Sequence, residues 1–223
     1  MAAQMGQTFS NGLITYLGFL ISITFYQAIV ANIARKKGDN STLTQVMSSF
    51  TPFVHMEIFG TVIFPLLTII TGSPVVFGWP KPYDIDSRYF RNPRRDINII
   101  YICGIGIVFF VSLICMFALK FLGGGISIVP LGGESMSLTF ILQTFLSTIG
   151  RVCMTMGALF LLPLPGTGGW YLLLNNVAYK TQQKLVEQSM VISIVGLFLI
   201  MLGFLNFYFK IFLFLFFMGS SPF

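Results

Sequence analysis

Metal-assisted hydrolysis needs imidazoles and carboxylates at set spacings, and this sequence supplies few of either. His55 is the one histidine among 223 residues, so no HxxxH pair can be made. The other candidate ligands are Cys103, Cys115 and Cys153, four aspartates and three glutamates. The cysteines lie in apolar stretches without CxxC spacing, which suits small packing residues. Asp39, Asp84, Asp86 and Asp96 fall between apolar runs. On residue types alone, no metal centre, no zinc and no other cofactor is expected.

A second group of residues carries chemistry by being polar where the sequence is otherwise apolar. Arg151 sits in the middle of an apolar run, where an unpaired guanidinium costs about 2.5 kcal/mol or more. A buried salt bridge is therefore expected, with Glu57 as first candidate partner and Glu134 and Glu187 behind it. Tyr26 and Gln27 form a polar pair within the first apolar run. His55, at the start of a run, reads as a capping or interfacial residue. Arg88, Arg91, Arg94 and Arg95 form an interfacial basic string that suits lipid phosphates or a partner's acidic loop. The aromatic residues from Phe207 to Phe217 ring their segment and are expected to face lipid or another subunit's helices.

The solvent that positions these residues follows from composition. Apolar residues make up 55% of the chain and charged residues 9%, with a mean hydropathy of +0.84. A water-soluble domain carries roughly a quarter of its residues charged, so the bilayer is the main solvent. Runs of about 20 apolar residues satisfy their own backbone as helices, whereas a barrel needs short alternating strands. The sequence thus predicts an all-α, polytopic transmembrane bundle of five or six spans in a single domain, 1–223. The spans are placed at 12–34, 54–71, 97–122, 136–162 and 188–217, the last as one helix or two pieces divided near Lys210. The segment 75–96 reads as interfacial or as dipping into the membrane. No removable signal peptide is expected, since Met1 to Ser10 has no basic region.

The formal charge of +6 sits mostly in short loops. It fits cytoplasmic loops or anionic lipid better than nucleic acid, which is not expected as a partner. Two basic clusters conflict: Arg35, Lys36 and Lys37 precede the second span, and Lys81 to Arg95 follow it. The larger cluster is expected to face the cytoplasm, unless the second span is re-entrant.

The run Thr51 to Asp96 resembles a connecting segment of the small bacterial site-2 proteases, the intramembrane zinc metalloproteases. The resemblance rests on Pro52, His55, Gly60, Thr61, Pro65, FGWPKP at Phe77 to Pro82 and FRNPRRD at Phe90 to Asp96, with weaker matches over Leu13 to Leu205. It implies a three-helix core, with HExxH on the first helix and a zinc-binding Asp in a later LLPxPPLDGG-like stretch. Counting back from Gly38 and Asp39 puts the HExxH positions at Tyr26 to Val30, so Tyr26, Gln27 and Val30 stand where His, Glu and His would be. LLPLPGTGG at Leu161 to Gly169 matches the distal motif with one residue fewer, and Thr167 stands for the Asp. Gly104, Ile105 and Val108 stand at further eroded positions.

The resemblance therefore implies a catalytically inactive site-2 protease-like protein of a multi-pass membrane, expected to be the bacterial inner membrane. Its groove, formed by Tyr26, Gln27, Phe77, Trp79, Pro163 and Pro165, would pack against partner transmembrane helices in a hetero-oligomeric complex, with membrane lipids as further partners. One alternative is an intramembrane metalloprotease with an unorthodox or partner-completed metal site. Another is a transport or channel subunit in which Arg151, Gln143, Gln27 and Asn32 line a polar path.

Overall fold

A computed structural model describes residues 2–71, 76–123, 138–204 and 206–220, although the side chains of 2–10, 197 and 201 are not described. The described residues form helices and connecting segments without a strand. Three helices are long and apolar enough to cross a membrane: α1 (Ala2–Lys37), α4 (Pro93–Phe121) and α5 (Leu138–Leu161). They correspond to the expected runs 12–34, 97–122 and 136–162. This is a membrane protein.

The three helices form the core. Parallel α1 and α5 meet through small residues: Gly18 lies against Ile149 and Val152, and the Ser22 hydroxyl donates to the Cys153 thiol at 3.3 Å. Antiparallel α4 closes the triangle, with the Ser112 hydroxyl donating to the Gly150 carbonyl at 2.8 Å. Small side chains let backbones approach where lipid supplies no hydrophobic drive for helices to associate. Of the cysteines, Cys115 and Cys153 are buried packing residues, whereas Cys103 is exposed.

Helix α1 stops at Gly38, whose φ of 122° lies in the left-handed region. Its N–H donates to the Arg35 carbonyl and that of Asp39 to the Ala34 carbonyl, a Schellman closure. Asp39 is then buried. Its carboxylate accepts from the Thr44 hydroxyl at 2.6 Å, the Ser41 N–H at 3.0 Å and the Asp86 N–H at 3.0 Å. The Gly38-Asp39 pair thus ends one helix and ties the short α2 (Thr42–Met47) to the loop around residue 86.

The expected second span, 54–71, does not form as one. A 3₁₀ turn, Pro52–His55, gives way to extended residues, then to a π-helical turn, Ile58–Ile63, and α3 (Phe64–Ile70). These six- and seven-residue pieces reach about 20 Å against a hydrocarbon core of about 30 Å. The chain comes back beside them in extended form. Trp79 N–H donates to the Gly60 carbonyl at 3.0 Å, and Lys81 N–H to the His55 carbonyl at 2.8 Å. The Thr61 hydroxyl accepts from the Glu57 N–H and donates to the Trp79 carbonyl. The unit has the shape of a re-entrant loop.

The expected pairing of Arg151 with Glu57 is not formed. The Glu57 carboxylate accepts from the N–H groups of Phe59 and Gly60, capping the π-helical turn, and neither Glu57 nor Arg151 is buried. Among the described residues the ion pairs are Lys37 with Asp96 at 2.7 Å and Arg88 with Asp86 at 2.6 Å. Lys36, Lys37, Arg91 and Arg95 line one depression of about 560 Å³.

After α5 come α6 (Gly168–Asn176), α7 (Tyr179–Glu187), α8 (Ser189–Met201) and α9 (Asn206–Ser220). The expected span 188–217 is broken at Gly203, not near Lys210. Gly203 has a φ of 78°, and the N–H groups of Gly203 and Phe204 close a second Schellman turn on Ile200 and Leu199. Helix α9 folds back antiparallel to α5. Tyr208 donates to the Ala158 carbonyl at 2.9 Å, Phe212 stacks on Phe109, and Phe216 lies over Gly150. Phe209 and Phe216 are therefore core residues, although Phe207 and Phe214 are exposed as expected.

Candidate functional site

Tyr26 and Val30 lie one turn apart on α1 and point into the junction of α4, α5 and α6. The Tyr26 ring stacks on Phe160 with centroids 4.3 Å apart. Val30 is held against Gly104 of α4 so closely that a Cβ there would fall 2.4 Å from Val30 Cγ2. Gly168, at the start of α6, is similarly close: a Cβ would come 2.9 Å from the Tyr26 hydroxyl.

Thr167 is the residue just before Gly168. Its hydroxyl accepts from the Trp170 N–H as N-cap of α6 and donates to the carbonyls of Leu162 and Leu164. This local use is what a buried hydroxyl at a helix start does best. The turn that Thr167 stabilises brings Gly168 against Tyr26 of α1, so both sequence segments singled out for chemistry meet in space.

Between them is a cavity of about 20 Å³ whose walls include Tyr26, Gln27, Val30, Tyr83, Tyr101 and Tyr171. The Gln27 amide donates to the Lys81 carbonyl, tying α1 to the returning limb of the re-entrant loop. Gln27 Oε1 and the Tyr83 hydroxyl are buried there without a hydrogen-bond partner. Burial pushes the Tyr83 phenol well above its usual range, with Asp39 and Tyr171 adding to the effect, so it is neutral. Tyr101 stacks on Tyr171 with centroids 4.6 Å apart. Nearby, Asn98 joins α4 to α6 by accepting from both Asn175 and Asn176.

Beside this junction is a larger cavity of about 440 Å³, walled by Phe77, Trp79, Leu159, Leu164, Pro165 and Ile194, with Thr167 also on its lining. Of the residues expected to form a groove, Phe77, Trp79 and Pro165 line this cavity, and Tyr26 and Gln27 line its small neighbour. Pro163 lines neither and is exposed. The two cavities share Pro82, Gly166 and Tyr171. His55 lies apart from both. It is buried, one ring nitrogen 2.8 Å from the Ser49 carbonyl and the other unpartnered. Burial holds its pKa below the usual value, with the Ser49 contact opposing.

Tyr83, Tyr101 and Tyr171 carried no signal in the sequence, since tyrosines 18 and 70 residues apart share no periodicity. The cap at Thr167 was readable, because a Thr before Gly-Gly after a proline-punctuated run is a helix-start pattern.

The set offers zinc little. A phenol, a neutral amide, an isopropyl group and a hydroxyl already bonded to two carbonyls do not make the imidazole and carboxylate set that zinc prefers. Among the described residues no three or more His, Cys, Asp or Glu side chains converge to hold a metal.

Comparison with known proteins adds one relationship. In Bacillus subtilis (strain 168), the "Putative zinc metalloprotease YwhC" is 29% identical over 85 residues, covering 38% of this chain and 35% of that protein. The similarity is distant. The match spans about a third of the relative's length. No family model matches, and no solved structure does.

Proposed function

We propose that this protein is a multi-pass membrane protein of site-2 protease type that no longer hydrolyses peptides and acts as a scaffold or assembly subunit. The observation that carries the reading is the filling of the junction by Tyr26 and Val30. These two positions, one turn apart, are where the family's zinc-binding imidazoles would project. Here Tyr26 stacks on Phe160 and Val30 seats on Gly104.

The adjoining cavity gives the scaffold reading its binding surface. About 440 Å³ with mostly apolar and aromatic walls suits side chains projecting from a partner's transmembrane segment. The basic end of the bundle, at Lys36, Lys37, Arg91 and Arg95, faces the cytoplasm in this reading. The membrane would be the bacterial inner membrane.

Purified full-length chain in mild detergent tests the loss of hydrolysis. Elemental analysis should find zinc well below one equivalent, and a fluorogenic transmembrane peptide should stay intact with zinc added. About one equivalent of zinc together with cleavage would restore the protease reading. For the scaffold role, a photo-crosslinking residue in place of Trp79 should trap a defined transmembrane segment at fixed stoichiometry, and one in place of exposed Phe121 should not. Equal trapping at both positions would count against the groove.

A further inference from the structure

Arg151 lies well within α5, about 20 Å along the helix from Leu138 and about 15 Å from Leu161. In a hydrocarbon layer of about 30 Å that depth is near the midplane. The guanidinium is exposed on the flank of the bundle, in a cleft of about 290 Å³ between α1, α5 and α9. Thr15, Thr148, Thr155, Leu213 and Phe217 line the cleft with it.

Its own bonds are local. Nε donates to the Ser147 carbonyl at 3.2 Å, and Nη2 reaches the Thr148 hydroxyl at 3.4 Å. Most of the five N–H donors of a guanidinium thus have no partner among the described residues, and no described carboxylate forms an ion pair with it. The α9 face beside it is apolar: Phe214 and Met218, each next to a residue that lines the cleft, are exposed.

A cation at this depth requires an anion. Lipid phosphates lie at the edge of the hydrocarbon, and the guanidinium stays beside the turn at Ser147 instead of extending to either end of the helix. A carboxylate carried into the layer by another helix meets the charge at its own depth. Thr148 and Thr155, one turn to either side and buried at the floor of the cleft, are short enough to leave room there for that carboxylate.

We infer that the cleft at Arg151 is a docking site for a partner transmembrane helix bearing one Asp or Glu near its midpoint. The cleft shares no lining residue with the cavity beside Phe77 and Trp79. It stands whether or not the protein hydrolyses peptides.

The test needs no mutation at first. The full chain is reconstituted in phosphatidylcholine vesicles with a dye-labelled single-span Leu/Ala helix carrying one central Glu, and association is read by energy transfer. The Glu helix should associate about tenfold more tightly than its Gln counterpart. Arg151→Gln should abolish that preference. Arg151→Glu should transfer it to a helix with a central Lys, a gain that misfolding could not produce. Equal association of the Glu and Gln helices would overturn the inference. So would loss of the preference on adding phosphatidylglycerol, which would assign the site to a headgroup. A preference seen only in Glu134→Gln would overturn it too, assigning the site to the chain's own carboxylate.

Discussion

Gly104→Ala is the smallest change that tests how α1 sits on α4. The added methyl would lie 2.4 Å from Val30 Cγ2 and 3.3 Å from the Tyr26 ring, whereas carbons pack at about 3.5–4.0 Å. Val30 has nowhere to go. A β-branched side chain in a helix keeps essentially one χ1 rotamer, and Val30 is 2% exposed. The methyl therefore has to push the helices apart, and overpacking of this kind costs about 1–3 kcal/mol.

Val30→Ala removes the methyl groups that clash, at a separate cost of about 2 kcal/mol for lost burial. In the double variant the methyl added at position 104 occupies space that the valine vacates. The double variant should then be more stable than the sum of the single losses by about 1–3 kcal/mol. Reversible unfolding in mixed micelles, titrated with dodecyl sulfate and followed by far-ultraviolet circular dichroism, supplies the four stabilities. Additivity within about 0.5 kcal/mol would show that the two residues do not touch.

Tyr83→Phe should leave stability unchanged or raise it by up to about 1 kcal/mol, because the lost hydroxyl is buried without a partner. Destabilisation in the same titration would mean that the hydroxyl is bonded. Thr167→Val removes the N-cap of α6 and the donor to two carbonyls, and should cost about 1–2 kcal/mol with the helix content kept. His55 has a folded pKa below its ordinary 6.5, so folding favours the neutral ring. Its contribution is present above pH 6.5 and lost as pH falls through the lower folded value. Acidification from about pH 7.5 to about pH 5 should lower the unfolding midpoint less in His55→Gln than in the parent protein. In a cysteine-free background, cysteines at Ser49 and Ser87 should react with an impermeant maleimide from the same side of sealed vesicles. A true span at 54–71 would place them on opposite sides.

The helical class and the three core helices were legible because each is a long apolar run, two of them bounded by strong signals: Gly38 after Arg35-Lys36-Lys37, and Pro93 at the first turn of α4. Hydropathy failed at 54–71 because it measures apolarity and not helix length. The information lay in Pro52, Glu57 and Pro65, which set a 3₁₀ turn, a capped π-helical turn and a late start for α3. The pairing of Glu57 with Arg151 failed for a related reason. A carboxylate two and three residues before unpaired backbone N–H groups satisfies them locally, and that need outweighed a distant cation. In the C-terminal run, Phe209 and Phe216 looked the same as their exposed neighbours. Only the turn at Gly203, which folds α9 onto α5, separates them.

The conflict between the two basic clusters turns on the same segment. Charge bias orients a chain only when the number of crossings between clusters is right. Treating 54–71 as a span puts Lys36 and Lys37 on one side and Arg91 and Arg95 on the other. Once that segment turns back, an even number of passages separates them. Lys37 then reaches Asp96 at 2.7 Å, and all four cations border one depression. Arg88, with its guanidinium paired to Asp86, is an exposed part of the same connecting segment. The re-entrant unit is thus what gathers the positive charge at one end. Through Trp79, Lys81 and the Gln27 amide, it also lays the returning chain across the junction that Tyr26 and Val30 fill.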